Sequence, residues 1–106
     1  MSDCVFCKII EKEIPSEFLY EDDLCIVFKD INPKFDTHLL IVPKKHIPTV
    51  MDMEDGDDKI IGHLIACAKK MGIELGLPGY QLQINVGKDG GQEVFHVHVH
   101  MMSNFV

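Results

Sequence analysis

The chain has 106 residues, 46% of them hydrophobic and 25% charged, which fits one soluble domain with a real core. It is small for a deep cleft, so a second subunit would be expected to complete one. A formal charge of −7 argues against a dedicated nucleic-acid binder, whose basic face must engage a polyanion, but leaves room for local groups that hold one small phosphate. No apolar run approaches the ~20 residues of a membrane span. Met1-Ser2-Asp3-Cys4 has neither the basic nor the apolar region of a secretory signal, so a cytosolic, or also nuclear, protein is expected.

Cys4 to Lys12 reads as a short helix, ended by Ile14-Pro15 because proline disfavours helical geometry in the residue before it. Phe18–Tyr20 and Leu24–Lys29 read as hairpin strands around the acidic turn Glu21-Asp22-Asp23. Asp30 to Asp36, with its Asp, Asn and Pro residues, is loop. Thr37–Pro43 is a third strand, and its near-continuous apolar character predicts a central, buried place. Asp57 or Asp58 is expected to cap a helix running to about Leu75, with Ile60, Ile61, Leu64, Ile65, Ala68, Met71, Gly72 and Leu75 on its apolar face. Gly76 and Pro78 stop it. Tyr80–Val86 gives a fourth strand, Gly87 to Gln92 a turn, and Val94–Met101 a fifth strand. The expected fold is α+β: a single domain over residues 1–106, with a mainly antiparallel five-stranded sheet, one long helix against it and a short N-terminal helix.

The fifth strand carries the chemistry. In Phe95-His96-Val97-His98-Val99-His100-Met101 imidazole alternates with apolar side chain at the period of a strand, so His96, His98 and His100 share a face while Val97, Val99 and Met101 turn to the core. Same-face neighbours lie about 6.6 Å apart, which lets the rings line one groove but makes chelation of one ion by all three awkward. The competing reading is a polar strand face or satisfied core histidines. Gly90-Gly91-Gln92-Glu93 runs directly into this strand, and glycine lets backbone N–H groups approach an anion closely. Asn85 ends the neighbouring strand. A neutral imidazole can attack phosphorus near pH 7, and a second, as imidazolium, can stabilise charge or protonate a leaving group.

Four cysteines without a secretory signal argue against a disulfide framework. Cys25, in an apolar strand, and Cys67, on the apolar side of the long helix, read as small buried hydrophobes. Cys4-Val5-Phe6-Cys7 has three readings. A redox pair wants a βαβ setting that this order of elements does not provide. A zinc site needs two further ligands, which His46 with His38 or one of the triad could supply. Two unrelated cysteines on a short helix is the third.

Taken in order, Cys4-Val5-Phe6-Cys7-Lys8-Ile9-Ile10, Tyr20-Glu21-Asp22-Asp23, Phe28-Lys29-Asp30-Ile31-Asn32-Pro33, Thr37-His38 through Pro43-Lys44-Lys45-His46, Asn85-Val86-Gly87, Gly90-Gly91-Gln92 and the histidine run resemble the histidine triad hydrolases and transferases over nearly the whole chain. The branch resembled includes the adenosine phosphoramidases. The resemblance implies a homodimer joined through its sheets, with a purine nucleotide in each subunit. His98 matches the nucleophile that becomes transiently nucleotidylated, and His100 a phosphate contact that assists charge or proton movement. Asp30 matches the carboxylate that bonds the ribose hydroxyls. Phe28 and Ile31 would line the nucleoside pocket, and Asn85, Gly91, Gln92 and Glu93 would lie around the phosphate. Zinc-binding members imply a structural Zn2+ on Cys4, Cys7, His46 and His96, which reserves His98 and His100 for catalysis. Two features set the chain apart. Glu93 stands where some relatives carry a proton-donating serine and others a glutamate, and the sequence ends six residues after His100, whereas several relatives carry a longer tail that tunes leaving-group choice.

The functional expectation is a purine nucleotide hydrolase or nucleotidyl transferase that cleaves nucleoside phosphoramidates through a nucleotidyl-histidine. The alternatives are a zinc-stabilised nucleotide-binding or partner-binding module with weak catalysis, a dinucleoside polyphosphate hydrolase, and a catalytic metal on the three histidines.

Overall fold

Both faces of the run Thr37–Pro43 are apolar, and the rest of the chain packs on it from two sides. The computed structural model describes residues 4–104. The first three residues, on which the reading of the leader partly rests, and the last two, on which the reading of the tail partly rests, lie outside those described. In chain order the elements are helix α1 (Val5–Ile10), strands β1 (Tyr20–Glu21), β2 (Cys25–Lys29) and β3 (Thr37–Pro43), helix α2 (Asp57–Leu75), and strands β4 (Gln81–Gln83) and β5 (Val99–Ser103). The strands form one sheet in the order β1-β2-β3-β5-β4, antiparallel at every pairing.

One sheet face is covered by α2. Leu64, Cys67, Ala68 and Met71 pack there against Cys25, Val27, Leu39, Ile41, Val99 and Met101. On the other face α1 sets Phe6 and Ile9 against Ile26, Phe28, Leu40 and Val42. Burying β3 on both sides explains its unbroken apolar run and makes it the rigid floor of what lies above.

Helix α1, strands β1 and β2 and the end of β5 fall within two residues of their expected bounds, and other features depart further or differently from the sequence reading. The α2 N-cap is Gly56 in a left-handed conformation, with no side-chain cap. Asp57 is the first helical residue, buried, with its carboxylate taken by the Glu54 N–H at 2.9 Å and Lys45 Nζ at 2.7 Å. Ile65 and Leu75, expected on the apolar face, are exposed: Ile65 sits at the edge of the arc centred on Leu64, and Leu75 belongs to the helix's last turn. Strand β4 is cut from the expected Tyr80–Val86 to three exposed residues at the sheet edge. Most consequentially, β5 begins at Val99 rather than Val94. The residues ahead of it are drawn off the sheet onto the loop after β3, where Val97 N–H donates to Ile47 O at 2.7 Å. The side-chain alternation nevertheless survives, with Val99 and Met101 toward α2 and His98 and His100 toward the opposite face.

Candidate active site

His98, His100 and Met102 line a cleft of about 540 Å³ on the α1 side of the sheet. Its walls come from α1, from the loop after β2 and from the turn ahead of the histidine run. Phe28, Asp30, Ile31, Asn85, Gly91 and Glu93 all line it, so the structure brings together every nucleotide-site residue expected from sequence except one. The exception is Gln92. It is buried, its Oε1 accepts the Gly87 N–H at 2.8 Å, and its Nε2 donates to Pro48 O at 2.7 Å and Val94 O at 3.0 Å. Gln92 thus braces the turn from beneath instead of facing the cleft. Gly91, at φ 85°, sits where a side chain is strained and where a Cβ would lie 3.4 Å from Asn85 Nδ2. The Asn85 amide in turn donates to Gly90 O at 2.7 Å, which fixes the turn beside the histidines.

Hydrogen-bond partners assign the imidazole tautomers. His98 Nδ1 lies 2.7 Å from the His96 carbonyl oxygen, so Nδ1 carries the proton and Nε2 keeps a lone pair, on a ring that lines the cleft. Lys34 N–H donates to His38 Nδ1 at 3.1 Å, which puts the His38 proton on Nε2. That Nε2–H faces His100 Nδ1 at 3.0 Å and Asp30 Oδ2 at 3.3 Å. His100 Nδ1 therefore accepts, and its own proton sits on Nε2. The two catalytic candidates present complementary atoms: a lone pair on His98 and an N–H on His100, with ring centroids 4.9 Å apart.

Burial pushes His100 down to about 4, with His98 and His38 beside it adding to the effect. Burial also lowers His98, against the pull of its hydrogen bond to the His96 carbonyl. Both shifts favour the neutral ring, which makes the second imidazole of the free protein an N–H donor. Phe6 stands edge-on to His98 at 5.0 Å between centroids and to Phe28 at 5.7 Å. Its place in the site was not read from sequence, although the apolar spacing of Phe6 and Ile9 on α1 is the signal that carried it.

His96 belongs to a different cluster. Cys4, Cys7, His46 and His96 bring one donor atom each to within 4.8 Å of one another. Cys4 Sγ lies 3.4 Å from His96 Nδ1, Cys7 Sγ 3.3 Å from His46 Nδ1 and 3.6 Å from His96 Nδ1, and the two Nδ1 atoms are 3.1 Å apart. Metal–sulfur bonds of about 2.3 Å and metal–nitrogen bonds of about 2.0–2.1 Å require tetrahedral edges of roughly 3.3–3.8 Å, so the donors fit zinc with only slight adjustment. His96 Nε2–H donates to Pro43 O at 2.7 Å, which leaves Nδ1 free to coordinate and fixes the ring. Neither His98 nor His100 enters this cluster, and among the described residues no metal-type cluster contains all three triad histidines.

A family model of the HIT domain matches residues 11–105. The chain is 43% identical over 100 residues to the purine nucleoside phosphoramidase of Escherichia coli K12, which covers 92% of this chain and 84% of that one. The crystal structure of a HIT family hydrolase from Legionella pneumophila superposes with a TM-score of 0.93 at 43% identity, covering 98% of this chain and 95% of the other. A zinc-bound histidine triad family protein from Mycobacterium smegmatis gives a TM-score of 0.84 at 30% identity, with coverages of 95% and 74%. With its α+β sheet, long helix and ordered histidines, the chain belongs to the histidine triad (HIT) family.

Proposed function

We propose that the chain is a purine nucleotide hydrolase that cleaves nucleoside phosphoramidates through a nucleotidyl-histidine. The observation that carries this reading is the His98 Nδ1 to His96 carbonyl hydrogen bond, which leaves the Nε2 lone pair of a neutral imidazole at the cleft. His98 Nε2 attacks the α-phosphorus, a P–N bond to His98 forms and the substrate P–N bond breaks. The departing amine takes up a proton from solvent, and the Nε2–H of His100 beside His98 is a hydrogen-bond donor to the phosphoryl group. Water then attacks the nucleotidyl-histidine and returns a proton to solvent, the P–N bond to His98 breaks to restore the neutral ring, and the nucleoside monophosphate is released. Asp30 is assigned to the ribose hydroxyls, Phe28 and Ile31 to the nucleoside, and the Asn85–Gly91 turn to the phosphate. The 43% identical phosphoramidase supports the choice of P–N over dinucleoside polyphosphate substrates.

Cys4, Cys7, His46 and His96 would hold zinc. Four protein donors leave no open position, so the ion when bound would supply structural cross-linking rather than Lewis-acid chemistry. The zinc-bound mycobacterial relative supports this reading. A homodimer is also part of the proposal, since β4 offers an exposed strand edge on which a second copy can pair.

Intact-mass spectrometry after rapid acid quench tests the reaction, with wild type and His98→Ala mixed with an adenosine phosphoramidate. An acid-labile gain matching AMP in wild type alone is the expected result. Absence of both adduct and AMP from wild type would leave a nucleotide-binding module instead.

A further inference from the structure

On the opposite face of the sheet, a second set of donor atoms converges that the proposed reaction does not use. Asp22, at the β1–β2 turn, Cys25 on β2, and His63 and Cys67 on α2 bring one donor atom each to within 4.8 Å of one another. His63 and Cys67 are four residues apart on a helix, the spacing that places two side chains on one face. We propose that these residues form a second metal centre, for a zinc-class divalent cation, that clamps α2 to the β1–β2 hairpin.

The donor set suits such an ion: two sulfurs, one imidazole and one carboxylate are the ligand types of four-coordinate zinc. The thiols form the floor, Cys25 fully buried and Cys67 nearly so, with their Sγ atoms 3.2 Å apart. The rim is open, because the side chains of His63 and Asp22 remain 31% and 22% exposed, so an ion can enter without unfolding the core. Supporting groups already aim the carboxylate. Leu24 N–H and Cys25 N–H donate to Asp22 Oδ1 at 2.8 and 2.9 Å, and Tyr20 O–H donates to Oδ2 at 2.9 Å. A carboxylate oriented by its own partners is the outer-shell arrangement found around ligating groups.

Hydrogen bonds close the metal-free centre. His63 Nε2 lies 2.6 Å from Asp22 Oδ2, and Cys67 Sγ lies 3.9 Å from the same oxygen. Tetrahedral edges of roughly 3.3–3.8 Å then require the His63–Asp22 contact and the sulfur pair each to lengthen by about 0.5–1 Å. Binding forms two metal–sulfur bonds, one metal–nitrogen bond and one metal–oxygen bond. It breaks two S–H bonds and releases those protons to water. His63 coordinates through Nε2 once the proton on that nitrogen has left to solvent or moved to Nδ1. No electron is transferred, so the step needs no oxidant.

Cobalt(II) titration of chelator-stripped protein, under a phosphine reductant and without oxygen, tests the proposal. Wild type should take up two equivalents per chain, both with thiolate-to-cobalt charge-transfer absorption. Cys67→Ser should take up one. Because serine in the core could itself disturb folding, the decisive variant is Cys4→Ser/Cys7→Ser, which leaves the second cluster untouched and retains no other described thiol pair. That protein should still bind one cobalt with thiolate charge transfer, and Cys67→Ser added to it should abolish the band. A Cys4→Ser/Cys7→Ser protein of native circular dichroism that shows no thiolate–cobalt absorption overturns the proposal, whatever the stoichiometry of wild type.

Discussion

His38 Nε2 stands 3.0 Å from His100 Nδ1, and because His38 Nδ1 is occupied by the Lys34 N–H, the proton between the two rings belongs to His38. A backbone amide on the loop after β2 thereby sets the tautomer of a side chain on β5. Leu40 pairs with His100 across the β3–β5 ladder, so His38 and His100 are cross-strand diagonal neighbours. Their relation is built into the register.

His38→Leu should therefore leave fold and nucleotide affinity in place while lowering kcat about 10²-fold, the lower end of what a positioned acid–base group contributes. Without the His38 donor, His100 is free to move its proton to Nδ1 and present a lone pair where an N–H is needed. His38→Gln restores an N–H donor and should recover a large part of the rate. Steady-state kinetics on an adenosine phosphoramidate check this, and a His38→Leu protein turning over at the wild-type rate would remove the relay.

Removal of the proposed zinc tests what holds α1. A six-residue helix has no stability of its own in water, and this one is held by its packing on the sheet and by the Cys4, Cys7, His46, His96 cluster. Stripping zinc, or the Cys7→Ser substitution, should cost about 2 kcal/mol or more, roughly 10 °C in Tm for a domain of this size. Phe6 contacts His98, so nucleotide affinity should weaken with it. Identical melting curves with and without a chelator would show that the cluster carries no structural load.

Much of this was legible because period and residue type agreed. Thr37–Pro43 was placed to the residue, and the helix ending at Leu75 to within two residues at its start, since a two-sided apolar run and a long 3.6-residue period each have one good solution. The triad's division between a metal-type cluster and the cleft was not legible from alternation. It depends on the bend that carries His96 onto the loop after β3 before the ladder starts at Val99, and spacing within a run cannot show where pairing begins. Cys25 and Cys67 were read as buried hydrophobes, which their burial supports, but their approach to His63 and Asp22 is a tertiary contact between β2 and α2. Gly72, placed on the apolar face by period alone, proves to make room for Tyr80, whose ring would lie 2.6 Å from an added Cβ.

Gln92 offers a test of structure apart from chemistry. Truncation to alanine would leave the Pro48 carbonyl and the Gly87 N–H without the partners they have in the fold. An unsatisfied buried polar group costs about 1–3 kcal/mol, so Gln92→Ala should lower the urea midpoint accordingly. Turnover per folded molecule should fall less than in His38→Leu, because Gln92 lies beneath the turn and does not line the cleft. A normal urea midpoint with kcat lost would instead place Gln92 at the reacting groups.

Acid should destabilise the protein through His100. Its imidazole is held neutral in the fold by burial, reinforced by His98 and His38, and takes a proton only near about 4, against an ordinary value of 6.5. Asp30 pulls the other way and Lys34 the same way as the two histidines. Between those two values the unfolded chain binds more protons than the folded one, so stability is full above about 6.5 and declines as pH falls toward about 4. The Asp22 carboxyl does not share this window. Burial alone would raise it, but hydrogen bonds from Leu24, His63, Tyr20 and Cys25 outweigh burial and hold it well below the ordinary carboxylate range. Urea unfolding at about pH 7 and about pH 5 should thus show a lower midpoint in acid for wild type, and His100→Gln, which cannot titrate, should show a smaller decline. Equal declines in the two proteins would mean that His100 is not held neutral by the fold.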